Sequence, residues 1–255
     1  MAAITKNITR WRAGAIHVAL SALIAALVFT GIFWLWYPGA LFAAAGGLKL
    51  FALIAGVDLS IGPLLTTIVY VPRKKGLKFD LTVIALLQLA ALAYGAGVLY
   101  VSRPAWIVFV KDRFELVRAD EVVATGRAKA KPPFDALPRT GPRVVGAELP
   151  TDPNQQYNLA FSALAGRDVQ DYPQYLVPYA RVRKEVAAHA KPYEDLRRFN
   201  PGAEARIAAL PGKWDKAPGD LGFVPMRAGK VDLSVLVDRH TGDYVGISSL
   251  RPWQY

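Results

Sequence analysis

The residue that most needs a chemical explanation is Asp58, a carboxylate inside a long apolar stretch. A charged side chain at the centre of a bilayer costs about 2.5–3.5 kcal/mol on insertion scales, so such a group normally faces a partner or water. Three roles are open for it: a hydrogen bond within its own bundle (to Thr66, Gln88 or Tyr94), a contact with another protein's membrane segment, or a step in a proton relay. The sequence offers no second acid or neighbouring histidine to continue a relay, which favours the first two roles.

A second group of residues with binding chemistry lies in the C-terminal half of the chain. Tyrosine and arginine are enriched at protein–protein interfaces, because they combine a large contact area with hydrogen-bonding atoms. Packing in the core or at its rim is the competing explanation for this series, and both explanations stay open. The members are Tyr172, Tyr175, Tyr179 and Tyr193, with Arg181 and Arg183 nearby.

Residue types that catalyse reactions or hold metals form no recognisable set. The chain has no Cys, and His17, His189 and His240 lack metal-ligand spacing. A Gly-x-Ser-x-Gly motif, a phosphate-binding loop and a dinucleotide fingerprint are all missing from the sequence. Carboxylate pairs such as Asp168 and Asp171 fit a solvated helix end. We therefore predict no catalytic residue, no metal ligand and no cofactor, and we do not expect an enzyme.

Three long apolar segments in residues 1–104 must position Asp58: Ala13–Trp36, Leu41–Val71 and Leu81–Ser102. At 1.5 Å per residue the first one reaches about 36 Å, enough to cross a hydrocarbon core of about 30 Å. It is also longer than the apolar region of a signal peptide, which has about 7–15 residues. The sequence therefore predicts three transmembrane helices, with the lipid bilayer as their partner.

The charge distribution predicts how these helices are oriented. Lys6, Arg10 and Arg12 precede the first span, four basic residues lie in the 72–80 loop, and the connection between the first two spans is uncharged. Since basic loops favour the cytoplasm, we expect a multi-pass protein of the bacterial inner membrane with residues 105–255 in the periplasm. The net charge of +5 over residues 103–255 suits anionic headgroups or an acidic partner. Nucleic acid is not an expected partner.

Residues 105–255 predict a mixed α+β domain, so the fold class is three N-terminal transmembrane helices followed by a mixed α+β periplasmic domain. Asp152 and Pro153 are typical of a helix start, and Gly166 is typical of its end. Further helices are expected at 179–190, 193–199 and 203–210, and a loop at 125–142. The predicted strands are Trp106–Val110, Arg113–Val117, Phe223–Met226, Val231–Val237 and Tyr244–Leu250.

Small residues spaced by four recur along the apolar segments and mark faces where backbones can approach closely. Packing among the three helices of this chain is the favoured explanation. A surface for a foreign transmembrane helix is the alternative. The pairs are Ala22 with Ala26, Gly56 with Ser60, and Ala93 with Gly97.

Several short motifs occur together over nearly the whole chain. They include GVDLSIGPLLT at 56–66, KKGLKFDL at 74–81, FSALAG at 161–166, LVDRHTG at 236–242 and LRPW at 250–253. Jointly they resemble the type IV pilin accessory proteins, the TfpX/TfpZ or FimB-like family. The resemblance implies an inner-membrane protein that assists type IV pilus biogenesis and acts with the major pilin. It brings no catalytic residues with it.

A pilin waits in the membrane as one apolar helix with a periplasmic head. An accessory protein with three helices and an outer domain could hold both parts, since two linked weak contacts reinforce each other. Asp58 and the tyrosine–arginine series are the expected partner contacts. Counting back from Val71 puts Asp58 about 20 Å above the cytoplasmic face, too far to pair simply with a pilin N-terminal amine.

Two other functions are compatible with the sequence. One is a membrane-tethered periplasmic module that binds or senses a small ligand. The other is a membrane enzyme, which would depend on one or two carboxylates such as Asp58 or Asp112. Self-association into a homo-oligomer is also compatible with the sequence.

Overall fold

The computed structural model describes residues 9–229 and 231–254, and the chain divides into two compact units. The helix unit contains the chain up to Leu35 and Gly46–Val101, and the sheet unit contains Trp36–Ala45 and the chain from Ser102 onward. Lys6, one of the basic residues used to predict the orientation, lies outside the described residues. The helices up to residue 101 are α1 (Arg10–Leu35), α2 (Leu41–Ala44), α3 (Gly47–Val69) and α4 (Leu77–Val101).

Three of these helices, α1, α3 and α4, are long and apolar enough to cross a membrane. The second apolar segment was expected to begin at Leu41, but α3 begins at Gly47. The reason is that Leu41–Ala44 forms its own short helix, in which Leu41, Phe42 and Ala44 are buried in the sheet unit. The helix α3 continues through Pro63. Both α1 and α4 pack mainly against α3 and touch each other little.

The close approaches within the helix unit occur at glycines other than the predicted ones. A Cβ at Gly14, Gly62 or Gly95 would lie 2.0–2.3 Å from a side-chain atom of the neighbouring helix. The expected packing of the small-residue pairs is wrong, because all six of their residues are exposed. A Cβ at Gly56 or Gly97 would meet nothing within 4 Å. The helix faces that carry these pairs are therefore uncovered in this chain.

The described residues of the sheet unit form an eight-stranded mixed sheet with the order β4-β3-β1-β2-β6-β7-β8, and β5 pairs with β6. The β1–β3 and β2–β6 pairs are parallel, and the others are antiparallel. The predicted hairpin of β1 and β2 is confirmed, whereas no strand was predicted at the position of β3. The bounds are β1 Pro104–Val110, β2 Arg113–Arg118, β3 Arg143–Ala147, β4 Leu176–Pro178, β5 Lys191–Pro192, β6 Leu221–Arg227, β7 Leu233–Asp238 and β8 Tyr244–Ser248.

Shorter helices cover the sheet. Asp152 caps α6 by accepting a hydrogen bond from the Asn154 main-chain N–H at 2.9 Å, as its sequence predicts. The expected helix at 179–190 is divided into a 3₁₀ turn, Tyr179–Arg181, and α7. The 125–142 segment, expected as a loop, contains α5. The bounds are α5 Ala124–Lys129, α6 Pro153–Leu164, α7 Arg183–His189, α8 Glu204–Ala208 and α9 Leu210–Lys213.

The core of the sheet unit lies on both faces of β1, which is buried along its whole length. Ile107 and Phe109 contribute to one hydrophobic cluster, and Trp106 contributes to another. Leu41 and Ala44, each 1% exposed, belong to the same cluster as Ile107. The short connection between α1 and α3 is therefore a structural part of the sheet unit.

Candidate partner-binding surfaces

The helix unit contains an open groove between α1 and α4, with α3 as its floor. Its cavity has a volume of about 400 Å³. One face of α1, from Ala13 to Ile24, forms one wall and one face of α4, from Leu81 to Leu92, forms the other. At 1.5 Å per residue the walls are about 16 Å long. Their side chains are mostly apolar: Ile16, Leu20, Ile24, Leu81, Leu89 and Leu92.

Polar side chains from all three helices meet in this groove. His17 on α1 lies between Thr66 on α3 and Gln88 on α4, with Nδ1···Oγ1 and Nε2···Oε1 distances of 2.5 Å each. Gln88 donates its amide N–H to the main-chain oxygen of Asp58 at 2.9 Å. With the amide assigned this way, its oxygen faces His17, so Nε2 carries a proton. In the neutral ring Thr66 then donates to Nδ1.

Asp58 is the middle residue of α3, 7% exposed, and lines the groove. Among the described residues its carboxylate has no hydrogen bond and no ion pair. The expected bonds from Thr66, Gln88 or Tyr94 to this carboxylate are therefore not formed. Thr66 bonds His17, and Gln88 contacts the main-chain oxygen of Asp58 rather than its side chain. Tyr94 is 78% exposed.

His17 was missed by the sequence analysis, which held that no histidine neighbours Asp58. The structure brings both residues to one groove. A usable signal was present, because each apolar segment carries a strongly polar residue: His17, Asp58 and Gln88. Such groups are costly in hydrocarbon, so they tend to meet inside a bundle.

The tyrosine–arginine series is distributed over two cavities of the sheet unit. Tyr172 and Tyr175, with ring centroids 6.2 Å apart, line one cavity beside Lys129 and Lys131. Their rings are half-buried, which leaves an aromatic surface next to basic side chains.

Three further members, Tyr179, Arg181 and Arg183, lie in the segment that follows β4. Tyr179 and Arg183 line the second cavity with Asp243. The Tyr179 hydroxyl donates to the main-chain oxygen of Gly242 at 2.6 Å, and burial raises its pKa. Arg183 pairs with Asp243 at 2.5 Å, and Arg181 pairs with Glu148 at 2.9 Å. Tyr179, in the 3₁₀ turn before α7, and Arg183, the first residue of α7, thus both bond to the β7–β8 turn.

A larger polar pocket in the sheet unit has a volume of about 1060 Å³ and was not anticipated. Glu115 on β2 and Arg227 on β6 lie opposite each other in parallel register. Burial raises the pKa of Glu115 to about 7, although Arg227 and Arg113 act to lower it. Burial also raises the pKa of Asp171, at another side of the pocket, to about 6. The one sequence signal was an acid between the apolar residues of β2.

Most of the other charged groups of this pocket are already paired. Arg118 contacts Asp120 at 3.1 Å, and Arg167 donates to the main-chain oxygen of Glu121. Within residues 9–229 and 231–254 no group of three or more His, Asp or Glu side chains could hold a metal ion. Glu115 is thus a half-buried carboxylate of this pocket that has no ion pair or hydrogen bond among the described residues.

Three apolar helices with an open groove, joined to a sheet domain, define a candidate membrane-anchored binding protein. The comparisons with known proteins specify this class further. The family model "Fimbrial assembly protein FimB" matches residues 6–39. The chain is 32% identical to the fimbrial assembly protein of serogroup I from Dichelobacter nodosus, over 69% of this chain and 70% of the relative.

Two further relatives from Dichelobacter nodosus carry the same description. The fimbrial assembly protein of serogroup E1 is 30% identical over 69% of this chain and 70% of its own length. The protein of serogroups C1 and C2 is 38% identical over 42% of this chain and 84% of its own length. No solved structure matches the chain significantly. The chain belongs to the FimB fimbrial assembly family, in agreement with the resemblance seen in its motifs.

Proposed function

We propose that this protein is an inner-membrane accessory protein of type IV pilus biogenesis that binds the major pilin and modulates its assembly. Its relatives are fimbrial assembly proteins, which supports a role in pilus biogenesis. The proposal assigns it no catalytic step and no cofactor. Its action is to hold a pilin subunit before the subunit enters the fibre.

The proposed topology has the N-terminus in the cytoplasm, three membrane crossings and the sheet unit in the periplasm. The packing of α2 supports this arrangement. Because Leu41 and Ala44 are buried in the same core as Ile107, the connection after α1 and the chain after α4 lie on one side of any membrane. Three crossings satisfy this requirement, and the basic 72–80 loop then faces the cytoplasm.

The observation that carries the proposal is the groove between α1 and α4. Two apolar walls with a third helix as floor form a concave apolar surface against which one more helix can pack. A pilin presents one apolar helix, and the shape of such a helix is complementary to this groove. Asp58 in the groove and the Tyr172, Tyr175, Tyr179, Arg181 and Arg183 side chains on the sheet unit are the proposed contacts for the helix and the head of the pilin.

Photo-crosslinking in cells tests this proposal. A photoreactive residue replaces Leu89, which lines the groove, or Leu86, which is 60% exposed and outside the groove lining, and a third variant carries it at Tyr175. We expect pilin to be captured from Leu89 and Tyr175 and not from Leu86. Capture from Leu86 alone, or no pilin from any site when the variants are present at normal levels, would contradict the proposal.

The polar pocket supports a second candidate function, a periplasmic module that binds a small ligand. Its volume of about 1060 Å³ and the unpaired Glu115 carboxylate are features of a ligand site rather than of a flat protein interface. Native mass spectrometry of the purified protein distinguishes the two. A retained small molecule that is lost in the Glu115→Ala variant would favour this function, and an empty wild-type protein would count against it.

A further inference from the structure

The central polar side chains of the groove, His17, Thr66 and Gln88, bond one another, whereas the Asp58 carboxylate has no partner among the described residues. His17 has both ring nitrogens engaged by Thr66 and Gln88, and the amide N–H of Gln88 is used by the Asp58 main chain. The Asp58 carboxylate, on a residue 93% buried at the midpoint of α3, is left without a donor among the described residues. The apolar walls supply none, because Leu20, Ile24, Leu89 and Leu92 have no hydrogen-bonding side-chain atoms.

A carboxylate at this position needs a donor when hydrocarbon surrounds the helices, because lipid tails offer no hydrogen bonds. Two other polar residues that line the groove, Tyr70 and Ser21, do not supply this donor. Tyr70 follows α3 twelve positions after Asp58, about 18 Å away along the helix axis. Ser21 lies on the opposing α1 wall, and among the described residues no hydrogen bond joins it to Asp58.

We propose that the bound helix itself supplies the donor: a hydroxyl, amide or ammonium group that meets the Asp58 carboxylate midway through the membrane. The identification of this helix as pilin rests on the proposed function, whereas the need for a donor rests on the groove. A helix rises 5.4 Å per turn, so sliding by one turn breaks the contact. Asp58 thereby fixes the depth of the bound helix, and the apolar walls provide the rest of the contact area.

The test uses the full-length protein in its own membrane, with a photoreactive residue at Leu92 on the groove wall. Asp58→Leu removes the acceptor, and Asp58→Asn keeps a neutral acceptor of the same size. Ser60→Leu is the matched control, since Ser60 lies two residues from Asp58 on the exposed side of α3. Ser21→Ala removes a hydroxyl on the α1 wall of the groove. Protein levels in the membrane are measured for each variant.

We expect Asp58→Leu to lower capture of the bound helix about threefold to thirtyfold, the range that interhelical polar contacts give. Ser60→Leu should leave capture unchanged, and Ser21→Ala should lower it less than Asp58→Leu does. Asp58→Asn should retain capture if the donor is a hydroxyl or amide and lose it if the donor is an ammonium group. Should Asp58→Leu reduce the protein level, Asp58→Asn together with the mapping below carries the test.

The crosslinked peptide is then mapped by mass spectrometry. We expect an apolar helix with Ser, Thr, Asn, Gln, Lys, Arg or His within one turn of the crosslinked residue. A captured helix without such a residue, unchanged capture in Asp58→Leu, or an equal loss in Ser60→Leu would overturn the donor contact. Capture of a donor-bearing helix other than pilin would instead contradict the proposed function and leave the donor contact standing.

Discussion

The two units of this protein differ in how far their apolar surfaces are covered. The sheet unit covers both faces of β1 and includes Leu41 and Ala44, residues that lie between two membrane-type helices in the sequence. The helix unit leaves a groove open between α1 and α4, with the Asp58 carboxylate buried in it and unpaired among the described residues.

With the helix unit in the membrane and the sheet unit in water, as proposed above, the difference follows from the solvent of each unit. In water an uncovered apolar surface is costly, so a domain recruits any side chain that completes its core. In a bilayer apolar walls are already solvated by lipid, and an open groove between them carries little penalty. The cost in the helix unit is therefore concentrated at its unpaired polar group. This makes Asp58 a better indicator of a missing partner than the apolar area around it.

The dependence of the sheet unit on the α1–α3 connection gives the largest expected effect. Leu41→Ala should lower the free energy of unfolding of the sheet unit by about 2–5 kcal/mol, because the site leaves a cavity in a closed core. Leu149→Ala, at a residue that is 50% exposed, is the control and should change little. Denaturant titration of the detergent-solubilised protein measures both. Equal effects would show that the connection is not part of the core.

The β7–β8 turn is a second test of the difference between the closed sheet unit and the open helix unit, because this turn packs closely against α7. Gly242 has φ +72, and a Cβ there would lie 1.9 Å from the main-chain oxygen of Arg183. Gly242→Ala should therefore cost about 2 kcal/mol or more, the strain of the left-handed backbone with a main-chain clash added. Gly166→Ala is the matched control, with φ +82 and nothing within 4 Å. It should cost about 1 kcal/mol, and the same titration distinguishes the two variants.

The polar pocket predicts a smaller, pH-dependent effect. The pKa of Glu115 is about 7 in the folded chain against an ordinary value of 4.5, so the folded state binds this proton more tightly than the unfolded state. The contribution of Glu115 to stability should therefore be fully present below about pH 4.5 and be lost as the pH rises through about 7. Melting temperatures of the solubilised protein across this window should show a shallower slope for Glu115→Gln. Arg227→Ala should steepen it, and identical slopes in all three proteins would refute the burial of this carboxylate.

Local signals were sufficient for several elements of the fold. The β1–β2 hairpin followed from two short β-rich runs around a polar turn, and α6 followed from Asp152, Pro153 and Gly166. These elements depend on neighbours in sequence, so composition and capping chemistry identify them.

The groove could not be predicted in the same way. Apolar periodicity shows that a helix has a buried face. The sequence around Leu41 does not indicate whether this residue belongs to the core of the sheet unit or to an apolar membrane-type helix. The meeting of His17 with Gln88 is a contact between helices distant in the sequence. The exposed positions of Gly56 and Gly97 likewise depend on which faces the neighbouring helices happen to cover, and spacing alone does not encode that choice.

The most direct test of the central claim fills the groove. Ala85 lines it on α4, whereas Ala90 is exposed on the opposite side of the same helix. Ala85→Trp and Ala90→Trp therefore add the same side chain to two faces, and pilin captured by the probe at Tyr175 is measured together with surface piliation. We predict that Ala85→Trp abolishes capture and alters piliation while Ala90→Trp matches the wild type. Normal capture and piliation in Ala85→Trp, at wild-type protein level, would contradict the groove as the pilin site.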